Sequence, residues 1–329
     1  MDKVLFNVKE VAEKIAQGKS LLLAGDEELL KQLPAGQWIA GTIPYFMAED
    51  GGVCSRERIF VTELPSYVTH IGIKRYGKND IYNIYKEVSG NVFSIMIIPS
   101  SSPTHYSFAL DAVKYEGFAA NQLIGWIAGV NLNDLGKITP KVFFGPAKEM
   151  LDDGAVVMHV HLPDHKYAEL NILNIFKQGS GDTILFPEDG FSAAEALINN
   201  EKQNLVDYIV TKNIDTKLPL VANYCGAMVN TSFQEVDKAA KRVTFYAPVF
   251  KGVEYKMAAP VADYVKSFNQ QMPQNNKETI AFSCNCILNY LYSGLEGKQT
   301  GGVTGPITFG EIAYQLLNQT MAYIAIKDI

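Results

Sequence analysis

The chain has few of the residues that cross-link a protein, anchor it in a membrane or bind nucleic acid. Four cysteines in 329 residues are too few for a disulfide framework in a chain of this size. No apolar run approaches the roughly 20 residues that a membrane-spanning helix needs. The net charge is −6 and the basic residues are scattered, so no nucleic-acid surface is predicted. We therefore expect a cytoplasmic protein that binds neither membrane nor nucleic acid.

Two further absences limit the chemistry. The glycine-rich stretches lack the G-x-x-x-x-G-K-[ST] pattern of a phosphate-binding loop, and no complete catalytic signature is present. Residues 1–18 include Asp2, Glu10 and Glu13 and predict an amphipathic helix, not the apolar core of a secretory signal. The sequence consequently indicates where a ligand binds better than it indicates a reaction.

The composition that is present is that of a globular protein, with 47% hydrophobic and 19% charged residues. Strand and helix patterns occur in mixed order, which predicts an α/β fold (mixed α and β). We expect two intimately packed subdomains, residues 1–162 and 163–329, with mixed sheets flanked by helices. Their division falls in the polar stretch Leu162–Lys166.

Periodicity predicts the main elements. Continuous apolar runs predict buried strands at residues 92–99 and 155–161, and residues 59–64 and 69–74 look like a pair of strands. Helices are expected at residues 105–116, 193–212, 260–272 and 309–325.

The most informative stretch is Gly301–Glu311, which reads GGVTGPITFGE. Thr308 and Glu311 have the S/T-x-x-E spacing of a capping box, which predicts that the last helix begins here. Glycine backbone approaches a ligand closely, and a helix N-terminus favours anions. We therefore expect a small-molecule site at this loop.

Several short motifs in the last third of the chain resemble the FIST sensory domain. They are Phe282–Cys286, Phe309–Ile312, Pro219–Tyr224 with Gly226, Val229–Ser232, Val243–Ala247 and Phe250–Val253. FIST domains are regarded as intracellular small-ligand sensors, and some relatives bind haem. The resemblance implies FIST N-like and FIST C-like subdomains and a separate protein as signalling output.

The expected cavity lies where the tail loop meets the Cys284 segment and the end of the strand at Tyr224. Its predicted ligand-binding residues are Tyr224, Asn230, Cys284, Gly305, Thr308 and Glu311. The alternative interpretation is structural, because a capping box and turn glycines serve a fold with or without a ligand.

A second candidate ligand site follows the strand at 92–99. Ser100, Ser101 and Ser102 precede His105, so hydroxyls and free helix N–H groups predict an anion site. The alternative is that Ser102 only caps a helix with Pro103 at its first position.

Histidines and cysteines supply the remaining candidates. His159 and His161 share one face of a strand, and His165 follows, so this segment could hold zinc or haem iron. Ordinary hydrogen bonding is the alternative for these histidines. Cys225 and Cys284 are candidate nucleophiles, although small buried cysteines are commoner.

Three functions are open on the sequence alone. The first is a small-ligand-binding sensory protein without intrinsic catalysis. The second is a haem-based or metal-based gas or redox sensor at His159 and His161. The third is an enzyme with a cysteine nucleophile that acts on a small substrate.

Overall fold

The structure, a computed structural model, describes residues 3–224, 226–271 and 279–329. Its helices are few and short: α1 Val8–Ala16, α2 Glu27–Leu30, α3 Pro103–Asp111, α4 Leu205–Lys212, α5 Tyr264–Gln271 and α6 Ile287–Tyr292. Single 3₁₀ turns lie at Ile81–Asn83, Ala112–Lys114, Leu132–Asp134 and Gly145–Ala147. No helix in the described ranges is long and apolar enough to cross a membrane.

Most of the regular structure consists of short strands. In chain order they are β1 Leu5–Phe6, β2 Leu21–Gly25, β3 Trp38–Thr42, β4 Tyr45–Ala48, β5 Gly51–Cys54, β6 Ile59–Glu63, β7 His70–Tyr76, β8 Val92–Pro99, β9 Gln122–Ala128, β10 Val142–Phe144, β11 Glu149–Leu151, β12 Ala155–His161, β13 Lys166–Leu173, β14 Ile184–Leu185, β15 Gly190–Ala193, β16 Glu195–Ile198, β17 Glu201–Asn204, β18 Leu220–Tyr224, β19 Ala227–Thr231, β20 Phe233–Asp237, β21 Arg242–Val249, β22 Glu254–Met257, β23 Ile280–Cys286, β24 Gly305–Thr308, β25 Glu311–Ala313, β26 Gln315–Leu317 and β27 Met321–Asp328.

The chain forms two compact units that are interleaved in sequence. Unit 1 comprises Met1–Leu173, Met272–Leu316 and Met321–Ile329, and unit 2 comprises Asn174–Gln271 and Leu317–Thr320. Both combine sheets with helices, so the expected mixed α/β class is confirmed. The division into two subdomains at residue 162 stays a prediction.

Unit 1 contains three six-stranded sheets. Sheet 1 has the strand order β1-β6-β2-β3-β10-β11, sheet 2 the order β26-β25-β9-β8-β12-β7, and sheet 3 the order β13-β27-β23-β24-β4-β5. Parallel pairs join β2 to β3 and β8 to β9, while most other neighbours are antiparallel.

Sheets 1 and 2 pack face to face, and helices cover them. Helices α1 and α2 contact sheet 1, and α3 contacts β8 of sheet 2. Strands β2 and β3 are buried along their whole length, which explains their continuous apolar sequences. Gly41 makes the close approach possible, because a Cβ there would lie 2.6 Å from Ile97 Cγ2 and 2.9 Å from Trp126 Nε1.

Unit 2 contains a six-stranded sheet, ordered β17-β16-β14-β22-β18-β19, and a three-stranded sheet, ordered β15-β21-β20. Its apolar core includes Phe186, Phe245 and Tyr255, whose rings meet edge to face at 5.4–5.7 Å between centroids.

The predicted helix at 309–325 is wrong, since these residues form β25, β26 and β27. Strand β27 pairs with β13 on one side and β23 on the other. An inner strand that is buried on both faces is apolar at nearly every position. Such a run also has apolar residues at positions i, i+3, i+4 and i+7, which is the pattern of an amphipathic helix.

Two other predictions need correction. Of the helix expected at 193–212, only Leu205–Lys212 is helical, and Asn204 caps it. The preceding residues form the hairpin β16–β17, whose turn residues Asn199 and Asn200 both have positive φ, as in a type I′ turn. The strands predicted at 59–64 and 69–74 exist but do not pair, because β6 lies in sheet 1 and β7 at the edge of sheet 2.

Candidate ligand site at the strand ends

A cavity of about 280 Å³ lies at the carboxyl ends of β2, β3 and β9 in unit 1. Its lining comes from the residues at and just beyond those three strand ends, from α2 and from the segment after β9: Gly25, Asp26, Glu27, Glu28, Thr42, Ile43, Pro44, Gly129, Val130, Asn131, Asp134, Ile138 and Thr139. In open α/β sheets, ligands bind in the crevice outside the carboxyl ends of the strands. The position therefore makes this cavity the candidate ligand site.

Backbone hydrogen bonds hold the strand ends around the cavity. The amide of Gly129 donates to the carbonyl of Thr42 at 2.8 Å, and the amide of Ile43 donates to the carbonyl of Gly25 at 3.0 Å. The hydroxyl of Thr42 accepts from the amide of Lys141 at 2.9 Å. Gly129 has no room for a side chain, because a Cβ there would overlap the ring of Phe309. These contacts give the cavity a rigid floor.

Four carboxylates give the cavity a negative charge, and three of them have cationic partners. Arg56 pairs with Asp134 and approaches Asp26 at 4.0 Å, while Lys31 pairs with Glu28. Glu27 is partly buried and makes no ion pair with any described residue. Among the four lining carboxylates, that of Glu27 is thus the one without a cationic partner in the described residues.

The thiol of Cys54 does not line the cavity but contacts one of its lining residues, Asn131. Asn131 Nδ2 lies 3.5 Å from Cys54 Sγ, and the hydroxyl of Tyr45 accepts from the amide of Leu132 at 3.2 Å. Partial burial raises the pKa of the Cys54 thiol above its usual value. The sulfur is therefore protonated at neutral pH and is a weak nucleophile.

A broader groove of about 790 Å³ runs along β1, β6 and β23 and reaches Gly302 and Thr304 of the glycine-rich tail. Its charged lining residues are already paired, Lys3 with Glu10 at 2.5 Å and Lys14 with Glu63 at 2.9 Å. For this reason we favour the strand-end cavity as the ligand site.

At the segment Ser100–Ser102, a carboxylate of the protein itself takes the position expected for a bound anion. The predicted cap is confirmed, since Ser102 Oγ accepts from the amide of His105 at 3.1 Å. Asp153 Oδ1 accepts from the amide of Thr104 at 2.9 Å, and its carboxylate also bonds Ser102. The acceptor that we expected from a ligand is thus supplied by Asp153.

The other residues of that segment are placed by backbone geometry. Ser100 donates its amide to the carbonyl of Ala128, and Ser101 has a left-handed φ of 62°. The amide of Ser101 donates to His105 Nδ1 at 3.1 Å, and burial lowers the pKa of His105 to about 4.

Within unit 1, the tail residues predicted to bind a ligand lie in buried strands. A Cβ on Gly305 would overlap the carbonyl oxygen of Ser283, so strand packing accounts for this glycine. The predicted capping box is wrong because no helix begins here: Thr308 Oγ1 donates to the carbonyl of Gly310 at 3.0 Å. Glu311 is fully buried and lies opposite Trp126 of β9.

Cys284, the second described candidate nucleophile, is also buried. Its thiol donates to the carbonyl of Gly125 at 3.2 Å. Burial, together with the nearby Glu311, raises the pKa of the Cys284 thiol well above its usual value. The other candidate, Cys225, lies outside the described residues.

Tyr224 and Asn230 belong to unit 2. Tyr224 is 41% exposed on β18. Asn230 is buried, exchanges amide hydrogen bonds with Asn174 at 2.9 and 3.1 Å, and donates to the carbonyls of Asn318 and Gln319 at 3.2 Å. Its amide is used to hold the segment 317–320.

The three histidines predicted as metal ligands differ in environment. His159 is buried, with Nδ1 2.8 Å from Ser94 Oγ and Nε2 3.4 Å from the hydroxyl of Tyr76. Burial is the main cause that lowers the pKa of His159 to about 4. His161 is partly exposed and His165 is exposed. In the described ranges, no three His, Cys, Asp or Glu side chains are arranged to hold a metal ion.

Comparison with known families gives a match over nearly the whole chain. A family model described as a family of unknown function, DUF6976, matches residues 6–327. The chain therefore belongs to DUF6976. A comparison with curated proteins finds no match.

The FIST resemblance is accordingly wrong, because the DUF6976 model covers nearly the whole chain and no FIST match accompanies it. The motifs behind it are short and centred on glycine. One of them, Phe309–Ile312, spans the turn between β24 and β25, where Gly310 has a φ of 153°. Strand turns in unrelated folds need the same glycines.

Sequence reasoning missed the strand-end cavity. A usable signal was present, since Asp26 directly follows β2 and Asn131 lies shortly after β9. Polar residues directly after buried parallel strands indicate a site at the carboxyl edge of a sheet. Only the structure shows that these segments meet.

We predict that Gly305→Ala destabilises the protein by about 3 kcal/mol or more, because the new methyl group overlaps the backbone of Ser283. The matched control is Gly72→Ala on β7, where the nearest atom to an added Cβ is His159 Cβ at 4.0 Å. The control should change the free energy of unfolding by less than about 1 kcal/mol. Urea denaturation measures both, and equal stabilities would contradict the proposed packing role of Gly305.

We also predict an acid-sensitive contribution from His159. Above pH 6.5 its imidazole is neutral in both folded and unfolded chains, so it adds no pH dependence. As the pH falls, the unfolded chain binds a proton at its ordinary value of 6.5, whereas the folded chain resists until about 4. The free energy of unfolding therefore falls, by about 2 kcal/mol at pH 5 from this residue.

Urea denaturation at pH 7.5 and pH 5.0 tests this contribution. His159→Gln should lose about 2 kcal/mol less than the wild-type protein between the two pH values. His165→Gln, a change at an exposed histidine, is the control and should behave as the wild type. An identical fall in the His159→Gln variant would show that this histidine is not held neutral by the fold.

Proposed function

We propose that the protein binds a small, positively charged organic ligand in the strand-end cavity and does not transform it. The observation that carries the proposal is the partly buried Glu27 carboxylate, which lines the cavity and lacks an ion pair among the described residues. An ammonium group in contact with the Glu27 carboxylate would be its cationic partner. Charge-assisted hydrogen bonds of this kind are stronger than those between neutral groups.

The size and walls of the cavity support a small ligand. About 280 Å³ lies just below the range of about 300–1,000 Å³ for pockets that hold drug-sized molecules. Ile43, Pro44, Val130 and Ile138 supply apolar surface beside the carboxylates. A short aliphatic amine matches both features.

The absence of catalysis is part of the proposal, and two observations favour it. The thiol of Cys54, which contacts the lining residue Asn131, has a raised pKa, and the thiol of Cys284 is buried against a carbonyl oxygen. A cysteine nucleophile instead needs a lowered pKa. A sensory role for the bound ligand was implied by the FIST resemblance, so binding alone is proposed here.

We further propose that the protein is cytoplasmic. The three cysteines that the structure describes, Cys54, Cys284 and Cys286, are free thiols, as is usual in a reducing compartment.

Thermal denaturation with matched ligands tests the proposal. We expect n-butylammonium and related small amines to raise the melting temperature by about 1–4 °C at saturating concentration, because ligands that bind only the folded state stabilise it. Butyrate and n-butanol, which have the same carbon skeleton without the positive charge, should give smaller shifts. Equal shifts for all three compounds, or none, would contradict a cation site.

Two pairs of variants locate the site. Glu27→Gln should remove the amine-dependent shift, whereas Glu28→Gln should keep it, because Glu28 is exposed and already paired with Lys31. Ile138→Trp should fill the cavity and block binding. Leu135→Trp is the matched control, since Leu135 is similarly exposed but does not line the cavity. An amine shift that survives both Glu27→Gln and Ile138→Trp would place binding elsewhere.

A further inference from the structure

Two histidines face each other on neighbouring strands of sheet 2, two residue pairs along from the network that holds His159. His70 of β7 and His161 of β12 are directly opposite in the antiparallel register. Their ring centroids lie 5.3 Å apart with 51° between the ring planes. Directly opposite residues have Cβ atoms about 4.5–5.5 Å apart, so both imidazoles reach a common point above the sheet.

We propose that His70 and His161 together bind one divalent transition-metal ion of the zinc, copper and nickel class. Neutral imidazole nitrogen is a preferred ligand of these metals, whereas calcium and magnesium prefer oxygen. The two rings supply two coordination positions. Water or a small exogenous ligand completes the shell, as at metal sites that keep open positions.

The environment of the two rings agrees with this role. Neither ring makes a hydrogen bond to another described residue, in contrast to His159, whose two nitrogens approach Ser94 and Tyr76. His70 is exposed and His161 is partly exposed, so an ion reaches both without a change of fold.

The sheet holds the backbone of the two histidines in place, which favours binding of one metal ion by both rings. Strand β12 is an inner strand that pairs with both β7 and β8, so the backbone of His161 is fixed from two sides. A pair of rings whose backbones are already held opposite each other in the sheet loses little conformational entropy on binding.

Isothermal titration of the full-length, tag-free protein with zinc chloride tests the site. We expect one zinc ion per chain in the wild-type protein. His70→Ala and His161→Ala should each weaken zinc binding by at least about tenfold, because even the loss of an outer-shell partner changes metal affinity by about 10- to 100-fold. His165→Ala, a change at an exposed histidine, should leave the affinity unchanged.

Copper gives a readout that does not depend on affinity alone. Electron paramagnetic resonance of the Cu²⁺-loaded wild-type protein should show splitting from two nitrogen ligands, and His70→Ala should show fewer. Circular dichroism shows whether each variant is folded. If His161→Ala does not fold, His70→Ala alone tests the proposal, because His70 is exposed and its substitution should not disturb the fold. No stoichiometric zinc binding, equal affinity in His70→Ala, or a copper spectrum without nitrogen splitting would each overturn the proposal.

Discussion

The close approach of sheets 1 and 2 at Gly41 is the constraint on which the rest of unit 1 depends. A side chain at Gly41 would collide with Ile97 and Trp126 of sheet 2. Without one, the ends of β3 and β9 come close enough for Gly129 to donate a hydrogen bond to Thr42. The strand-end cavity is the space left where three strands finish around this contact. The contact at Gly41 therefore accounts both for the packing of the two sheets and for the position of the candidate site.

Polar groups at two of the positions expected to bind a ligand are satisfied by the protein itself, which narrows the choice of ligand site. Asp153 occupies the start of α3, and Asn230 holds the segment 317–320 by its carbonyls. Groups of this kind stabilise the fold because an unpaired polar group in a dry interior costs free energy. Glu27 differs from them, since it lines a cavity and has no ion pair with a described residue. A cavity-lining carboxylate without an ion pair among the described residues is therefore the feature on which we base the proposed site.

Some secondary-structure elements could be predicted from the sequence alone, whereas others depend on contacts between distant parts of the chain. Residues 92–99 and 155–161 form the predicted strands because apolar runs of 8 and 7 residues have the length of a buried strand and are short for a helix. Residues 309–325 were misassigned because inner strands and helices share apolar patterns, and only pairing distinguishes them. The cap on α3 was visible locally at Ser102, but Asp153 lies far along the chain. The strand-end cavity likewise combines segments from three regions, so no local pattern could reveal it.

The most direct measurement of the central claim is methyl nuclear magnetic resonance of the protein, labelled at isoleucine and valine, during titration with n-butylammonium. We expect the methyl signals of Ile43, Val130 and Ile138, which line the cavity, to shift together and saturably. Signals of Val68 and Ile71, which border a different surface cavity, should not move. Saturable shifts confined to residues outside the strand-end cavity would contradict the account.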